Sequence, residues 1–225
     1  MLTMGSLFDG IGGFPLAAVH NGIIPVWASE IEAFPIQVTK KHFPDMIHVG
    51  DITKLDGAEL PPVDIICGGS PCQDVSIAGA RKGLDGARSG LFWEQIRIIT
   101  EMREADKKRG RSALDVRPRI GVWENVPGAF SSGEPKGSDF QTVLEAFMRI
   151  EEPQIHVVRP PTGRWEYAGA VLGVRSSVAW ATWNARHFGV PQERRRIFAV
   201  ADFGGYRSIQ ILFVQKSLPG YPAQE

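Results

Sequence analysis

The sequence predicts an α/β fold built on a doubly wound, Rossmann-like sheet that is mostly parallel and has an antiparallel strand at its end. Short apolar segments rich in strand-forming residues alternate with longer segments whose apolar residues recur at helical spacing, as in a parallel sheet covered by helices. The chain has 225 residues, of which 43% are hydrophobic and 22% are charged. This composition is typical of one well-packed globular domain, and it excludes collagen-like, disordered and disulfide-rich proteins.

The expected elements follow in a regular order. Strands are predicted at 3–8, 24–29, 46–49, 63–67 and 119–123, and helices at 15–21, 32–42, 90–104 and 139–150. A capping box from Ser138 to Gln141 is expected at the start of the last helix. Two further strands are predicted at 176–187 and 196–202, with a turn at 189–191 between them. Loops are predicted at 68–89, 105–118, 125–137 and 151–175, and loops of this length are commonly functional or disordered.

Charge is distributed unevenly, although the net charge of the whole chain is zero. Residues 1–80 hold three Lys and Arg against nine Asp and Glu, a net charge of −6, and residues 81–225 hold 22 against 16, a net charge of +6. Two interpretations remain open: a basic part that faces a polyanion, and ordinary solvated helix faces.

Neither a membrane span nor a metal site is expected. The apolar segments are shorter than the roughly 18 residues that a transmembrane helix needs, so a cytoplasmic location is predicted. The two cysteines have no second Cys or His pair near them, and the five histidines are scattered along the chain.

A glycine-rich segment follows the first predicted strand. It runs from Phe8 to Phe14 and leads into an apolar helix, an arrangement in which a nucleotide-like ligand can approach the backbone closely. The third glycine of a dinucleotide fingerprint would fall at Pro15, which argues against a hydride-transfer enzyme. Glu30 and Asp51 end the next two strands, and a carboxylate at this edge suits a ribose diol. Each acid taken alone also fits a helix cap or a surface position.

A cysteine lies in the loop after the fourth predicted strand, between Gly68 and Ser76. Cys72 is a candidate nucleophile, because the amides of a Gly/Pro-rich turn and nearby arginines can lower the pKa of a thiol. Cys67, inside the apolar strand, is expected to be buried and inert. Glu124 ends the fifth strand, where it is a candidate proton donor close to that thiol.

Arginines alternate at the start of the last predicted strand. Arg194 and Arg196 are two residues apart, so we expect them to share one face of the strand. This face would be either a solvated, phosphate-facing edge or a partly buried one.

Taken in order, these motifs resemble those of the cytosine-C5 DNA methyltransferase family, particularly its phage and prophage members. The matching segments span nearly the whole chain: 8–14, Glu30, Asp51, 69–73, 88–93, 124–126 and 192–196. The resemblance implies the Rossmann-like fold of S-adenosylmethionine-dependent methyltransferases. It also implies S-adenosylmethionine as methyl donor, double-stranded DNA as substrate, no metal, and a role in restriction–modification or phage self-protection.

The resemblance further implies a catalytic role for five residues. Cys72 would add to C6 of a cytosine that is flipped out of the duplex, with Pro71 orienting the thiol. Glu124 would hold N3 and the exocyclic amine of the base. Arg196, together with Arg194, would hold the O2 side of the base and the nucleophile loop.

Two sets of ligand-contacting residues are implied in the same way. The methyl donor is expected along the glycine loop, with Glu30 on the ribose and Asp51 beside the adenine. The full donor set is Phe8, Gly10, Ile11, Gly12, Gly13, Glu30, Ile31, Asp51, Ile52, Gly69 and Leu91. The set expected to contact DNA is Gln73, Ser76, Arg88 and Gln192.

The match to the family is confined to its catalytic part. Residues 1–202 are interpreted as the catalytic domain, and 203–225 as a C-terminal extension that begins a target-recognition region. Three interpretations remain open: a methyltransferase that a second polypeptide completes with DNA recognition, a truncated and inactive fragment, and a non-enzymatic DNA-binding protein.

Overall fold

The computed structural model describes residues 1–70 and 90–213, and within them the chain forms one eight-stranded sheet flanked by helices. The strands are β1 (Thr3–Leu7), β2 (Ile24–Ser29), β3 (Ile47–His48), β4 (Ile65–Gly68), β5 (Ile120–Asn125), β6 (Ala168–Leu172), β7 (Ser177–Asn184) and β8 (Arg195–Asp202). The helices are α1 (Gly13–His20), α2 (Ala33–His42), α3 (Leu91–Lys108), α4 (Ser138–Arg149) and α5 (Arg207–Phe213). The strand order is β3-β2-β1-β4-β5-β8-β7-β6, which confirms the predicted α/β class and its mostly parallel sheet.

The five parallel strands lie close to their predicted positions. β1 lies between β2 and β4, so Ser6 has Ala28 on one side and Cys67 on the other. The chain crosses over from β3 to β4, and the strand order therefore reverses next to β1. Doubly wound sheets bind ligands at such a reversal, outside the carboxyl ends of the strands.

The rest of the sheet is antiparallel. β8 runs against β5, with Phe198 opposite Glu124, and β7 and β8 form the predicted pair of strands. β6 lies in a segment that was expected to be a loop. Its first three residues, Ala168–Ala170, are alanine and glycine, which have low strand propensity and give little strand signal. Gly169 is needed there, because a Cβ would lie 2.4 Å from Cζ2 of Trp180.

The larger part of the core lies between the sheet and the two long helices, α3 and α4. From α3, Phe92 and Ile99 are completely buried, and from α4 so is Leu144. The Phe92 ring packs edge-on against Trp123 of β5 and Phe147 of α4, with ring centroids 6.1 and 6.0 Å apart. Burial of apolar side chains at helical spacing thus fixes both helices on this face.

The opposite face of the sheet is covered by the short helices α1 and α5. Ala18 of α1 packs with Met4 and Cys67, and α5 packs Leu212 against Val200 of β8. Residues 203–213, which were interpreted as the start of an extension, therefore pack against the same sheet as the strands before them.

The start of α4 differs from the prediction. Ser138 is the first helical residue rather than the cap, and the N-cap is Gly137, whose φ of 80° favours glycine. The Ser138 hydroxyl is buried and has no hydrogen-bond partner in the part of the chain that the structure describes. Gln141 donates instead to the carbonyl of Val157, at 2.7 Å. The expected capping box is therefore wrong, because the chain reaches the helix through a left-handed residue.

Candidate active site

The glycine loop after β1 is shaped by residues in the left-handed region. Phe8, Gly10 and Gly12 have φ values of 54°, 55° and 89°. A Cβ on Gly12 would lie 2.8 Å from the Phe43 ring, so this glycine lets α1 and α2 pack closely. A Cβ on Gly10 or Gly13 would have no heavy atom of the described residues within 4 Å. The space over these two glycines is open to a ligand.

Glu30 ties this loop to the end of β2. One carboxylate oxygen accepts the amide of Gly10 at 2.8 Å, and the other accepts the amides of Ile31 and Glu32 at 2.7 and 3.0 Å. The oxygen that accepts the Gly10 amide retains a lone pair that can accept a ligand hydroxyl. The side chains of Ile11 and Ile31 are exposed on the loop and beside it.

Asp51 follows β3 and caps a short 3₁₀ helix. Its carboxylate accepts the amide and the hydroxyl of Thr53 at 3.0 and 2.8 Å, which holds the pKa of Asp51 below its usual range. Ile52 is only 4% exposed and packs in the core, so it can offer a ligand only its backbone. Leu91 begins α3 and is half-buried against the same core.

A second group of side chains lies at the carboxyl ends of β4 and β5. The Trp123 ring nitrogen donates to the Ser70 hydroxyl at 3.3 Å, and the Asn125 amide donates to the Ser70 carbonyl at 3.2 Å. Glu124 lies beside Gly69, where a Cβ would be 2.9 Å from Oε2 of that carboxylate. The lack of a side chain at position 69 therefore leaves room for the Glu124 carboxylate.

Arg196 holds the same carboxylate from β8. Its Nε lies 2.8 Å from Oε1 of Glu124, and both side chains are about three-quarters buried. An ion pair this sheltered keeps Glu124 in one orientation and leaves Oε2 for another partner.

Arg194 and Gln192 lie in the connection before β8, and both are exposed. The expectation that Arg194 and Arg196 share a strand face fails, because β8 begins only at Arg195. The amide of Arg194 donates to the side chain of Asn184, which closes the end of the β7–β8 hairpin. Five predicted site residues, Pro71, Cys72, Gln73, Ser76 and Arg88, lie outside the described residues.

Cys67 is buried next to Met4, with 3.6 Å between the two sulfur atoms. Burial raises the pKa of its thiol to about 12. The thiol is therefore protonated at neutral pH and does not act as a nucleophile.

Sequence reasoning did not identify Asp9, which lies within the glycine loop. The side chain is 6% exposed, and burial raises its pKa to about 6, with the hydrogen bond from Ser6 opposing this shift and the nearby Glu30 carboxylate adding to it. The only signal in the sequence is the carboxylate itself, since its burial depends on tertiary packing.

The described ranges contain neither a cluster of metal-ligating side chains nor a membrane-spanning helix. In residues 1–70 and 90–213, no three His, Cys, Asp or Glu side chains form a group that could hold a metal ion. No helix in the part of the chain that the structure describes is long and apolar enough to cross a membrane.

The sheet order and the open glycine loop define the fold of a class of methyltransferases. The structure of the Schizosaccharomyces pombe Dnmt2 methyltransferase superposes with a TM-score of 0.60, at 18% identity, over 97% of this chain and 56% of that one. A DNA modification methyltransferase encoded within an Escherichia coli prophage superposes with a TM-score of 0.56, at 22% identity, over 90% of this chain and 47% of that one. At these identities the likeness concerns the fold.

The sequence comparison gives the family. The model of the C-5 cytosine-specific DNA methylase family matches residues 2–208, and the chain belongs to this family. It is 34% identical to the type II methyltransferase M1.ScrFI of Lactococcus lactis, over 86% of this chain and 40% of the relative. It is also 34% identical to a protein of Escherichia phage P1 named DNA N-6-adenine-methyltransferase, over 89% of this chain and 28% of the relative. The chain thus spans 28–40% of the length of these two relatives.

Proposed function

We propose that the chain transfers a methyl group from S-adenosylmethionine to C5 of cytosine in double-stranded DNA, with Cys72 as the nucleophile. The observation that carries this proposal is the Glu124 carboxylate, which is held by Arg196 at 2.8 Å and lies beside Gly69. Cys72 follows Ser70 by two residues, and Ser70 is bonded to both Trp123 and Asn125. Cys72 itself lies outside the described residues, and its role as nucleophile is proposed from the resemblance of segment 69–73 to the family.

The chemistry expected of these residues is covalent. The Cys72 thiolate adds to C6 of the flipped cytosine, and the electron pair of the C5–C6 bond moves to C5. Glu124 stabilises this shift by binding N3 and the exocyclic amine, and Arg196 both orients Glu124 and faces the O2 side. After methylation, loss of the C5 proton and departure of the Cys72 thiolate restore the aromatic ring.

The glycine loop fits the methyl donor. The open space over Gly10 and Gly13 admits a ligand close to the backbone, and Glu30 offers a carboxylate oxygen to a ribose hydroxyl. The exposed Ile31 and the backbone at Asp51 and Ile52 are then available to the adenine. When bound there, S-adenosylmethionine supplies an electrophilic methyl group.

DNA recognition is expected from outside the residues that match the family. The exposed Arg194 and Gln192 at the end of the β7–β8 hairpin are suited to backbone contacts, which fix position but carry no sequence information. We propose that a target-recognition region, on a second polypeptide or in further sequence, supplies the base contacts.

Nucleoside analysis of treated DNA tests this function. The purified chain, alone and with a candidate partner, is incubated with labelled methyl donor and unmethylated duplex DNA, and the products are separated by mass spectrometry. We expect 5-methylcytosine from the unmodified chain, complete loss of it in C72S, and retention of it in the matched control C67A, whose thiol is buried and protonated. N6-methyladenine as product, or an active C72S variant, would overturn the proposal.

A further inference from the structure

A carboxylate, that of Asp9, lies beneath the glycine loop, and no cation among the described residues balances it. Oδ1 of Asp9 accepts the Ser6 hydroxyl at 2.5 Å. Oδ2 is buried and has no hydrogen-bond partner among the described residues. Buried carboxylate oxygens are normally paired, because an unpaired one loses its hydration without compensation. The orphaned oxygen therefore points to a missing partner at this loop.

The groups that face Asp9 in the described part of the chain do not supply a positive side chain. From β2, the Glu30 carboxylate adds a second negative charge. From β4, the Cys67 thiol is protonated at neutral pH, since its pKa is about 12. From α1, the chain presents its amino end, and the one titratable side chain of that helix, His20, is its last residue. In residues 1–70 and 90–213 no Lys, Arg or His forms an ion pair with Asp9.

The position of this carboxylate matters for a ligand on the loop. Helix amino ends such as that of α1 attract anions, whereas two carboxylates at the same place favour a cation. Glu30 binds the amide of Gly10 directly, and Asp9 is the residue before it. A charge that approaches the open side of Gly10 and Gly13 acts on Asp9 through the protein interior, where solvent screens little.

We propose that Asp9 is a charge-selectivity residue, whose buried carboxylate favours the positively charged sulfonium of the methyl donor over the neutral thioether of the product. This inference rests on the proposed function, because it concerns the same donor site. It assigns Asp9 a part in product release, since the charge that holds the donor is lost with the methyl group. The hydrogen bond from the ribose to Glu30 is common to donor and product, so this bond does not distinguish between them.

The mechanism makes donor affinity depend on pH. A bound cation stabilises the ionised form of Asp9, so the donor binds more tightly when Asp9 has lost its proton. Each unit by which the cation lowers the pKa of Asp9 corresponds to about a tenfold difference in affinity between the ionised and protonated forms. The affinity for the donor should therefore fall as the pH decreases through about 6.

Calorimetric titrations of the full chain with S-adenosylmethionine and S-adenosylhomocysteine test the inference. The variants are D9N, which is isosteric, uncharged and still able to accept the Ser6 hydroxyl, and E59Q, which removes one exposed carboxylate elsewhere. In the unmodified chain and in E59Q, we expect donor affinity to fall about tenfold between about pH 7.5 and pH 5. In D9N the donor affinity should be low at both pH values, and the product affinity should change by less than about twofold in every variant.

Ser6 provides a second route if D9N does not fold. The hydrogen bond from Ser6 lowers the pKa of Asp9, so S6A should move the midpoint of the donor affinity curve to higher pH. A loss that is equal for donor and product, or no loss at all, would overturn the assignment and leave the proposed function standing. If the unmodified chain binds neither ligand, S-adenosylmethionine is not its methyl donor, and the selectivity assigned to Asp9 is wrong as well.

Discussion

At the scale of single residues, the buried position of Asp9 disfavours the ionised form of its carboxylate. Burial raises its pKa from 3.8 to about 6, so the folded chain binds the proton more tightly than the unfolded chain does. Between about pH 4 and pH 6 the folded state then carries the extra proton, and stability falls as the pH rises through this window. Above it the penalty is constant. The fold accordingly gives up stability at neutral pH to keep a negative charge under the glycine loop.

Replacing this carboxylate should therefore stabilise the protein. We expect D9N to raise the free energy of unfolding by about 1–2 kcal/mol near pH 7.5, and to have little effect near pH 4, where Asp9 is already protonated. Urea denaturation at the two pH values measures the difference. A variant that is less stable than the unmodified chain at the higher pH would show that the charge is compensated in the folded state.

At the scale of elements, two neighbouring glycines of the glycine loop have different roles: one in helix packing and one in leaving space for a ligand. Gly12 serves the packing of α1 on α2, since its φ is 89° and a Cβ would lie 2.8 Å from the Phe43 ring. Gly13 has a φ outside the left-handed region and open space around it. The first glycine is thus expected to matter for folding and the second for the ligand.

Alanine at each of these positions tests that separation. G12A should lower the free energy of unfolding by about 1–3 kcal/mol, because both the backbone conformation and the contact with Phe43 oppose it. G13A should keep the stability within about 0.5 kcal/mol and weaken donor binding, since its methyl group fills the open space. Thermal unfolding combined with donor titration distinguishes the two. Equal losses of stability and of donor affinity in the two variants would contradict these separate roles.

The elements also differ in how well the sequence predicts them. β1 to β5 and α3 were predictable, because buried parallel strands are apolar runs and a helix on the core repeats its apolar residues every three or four positions. β6 was not, since its Ala and Gly residues pack through Trp180, a partner distant in sequence. The acids Glu30 and Glu124 could be found from their places at strand ends. The burial of Asp9 and the pairing of Glu124 with Arg196 depend on tertiary contacts that no local pattern contains.

At the scale of the whole molecule, α5 packs against the same sheet as the other helices. Leu212 is 5% exposed and lies against Val200, while the neighbouring Ile211 is 51% exposed. The hydroxyl of Ser208 in the same helix is 2.6 Å from that of Ser177 in β7. Residues beyond the last strand therefore contribute to the stability of the sheet.

The two adjacent apolar residues of α5 give a matched pair for testing this contribution. L212A should lower the free energy of unfolding by about 2–4 kcal/mol through the cavity that it leaves, and I211A by less than about 0.5 kcal/mol. Chemical denaturation of both variants measures this contrast. Similar small losses would mean that α5 packs only loosely.

The helices on the two faces of the sheet differ in length, and we expect local unfolding to begin on the face that carries the shorter helices. Helices of 18 and 12 residues pack in the largest core cluster, whereas α1 and α5, of eight and seven residues, pack in two smaller clusters. The glycine loop leads into the eight-residue helix, so the ligand site belongs to the side with fewer apolar contacts. In the free chain, backbone amides of α1 should exchange with solvent before those of α3 and α4, and a ligand on the loop should slow exchange first in α1.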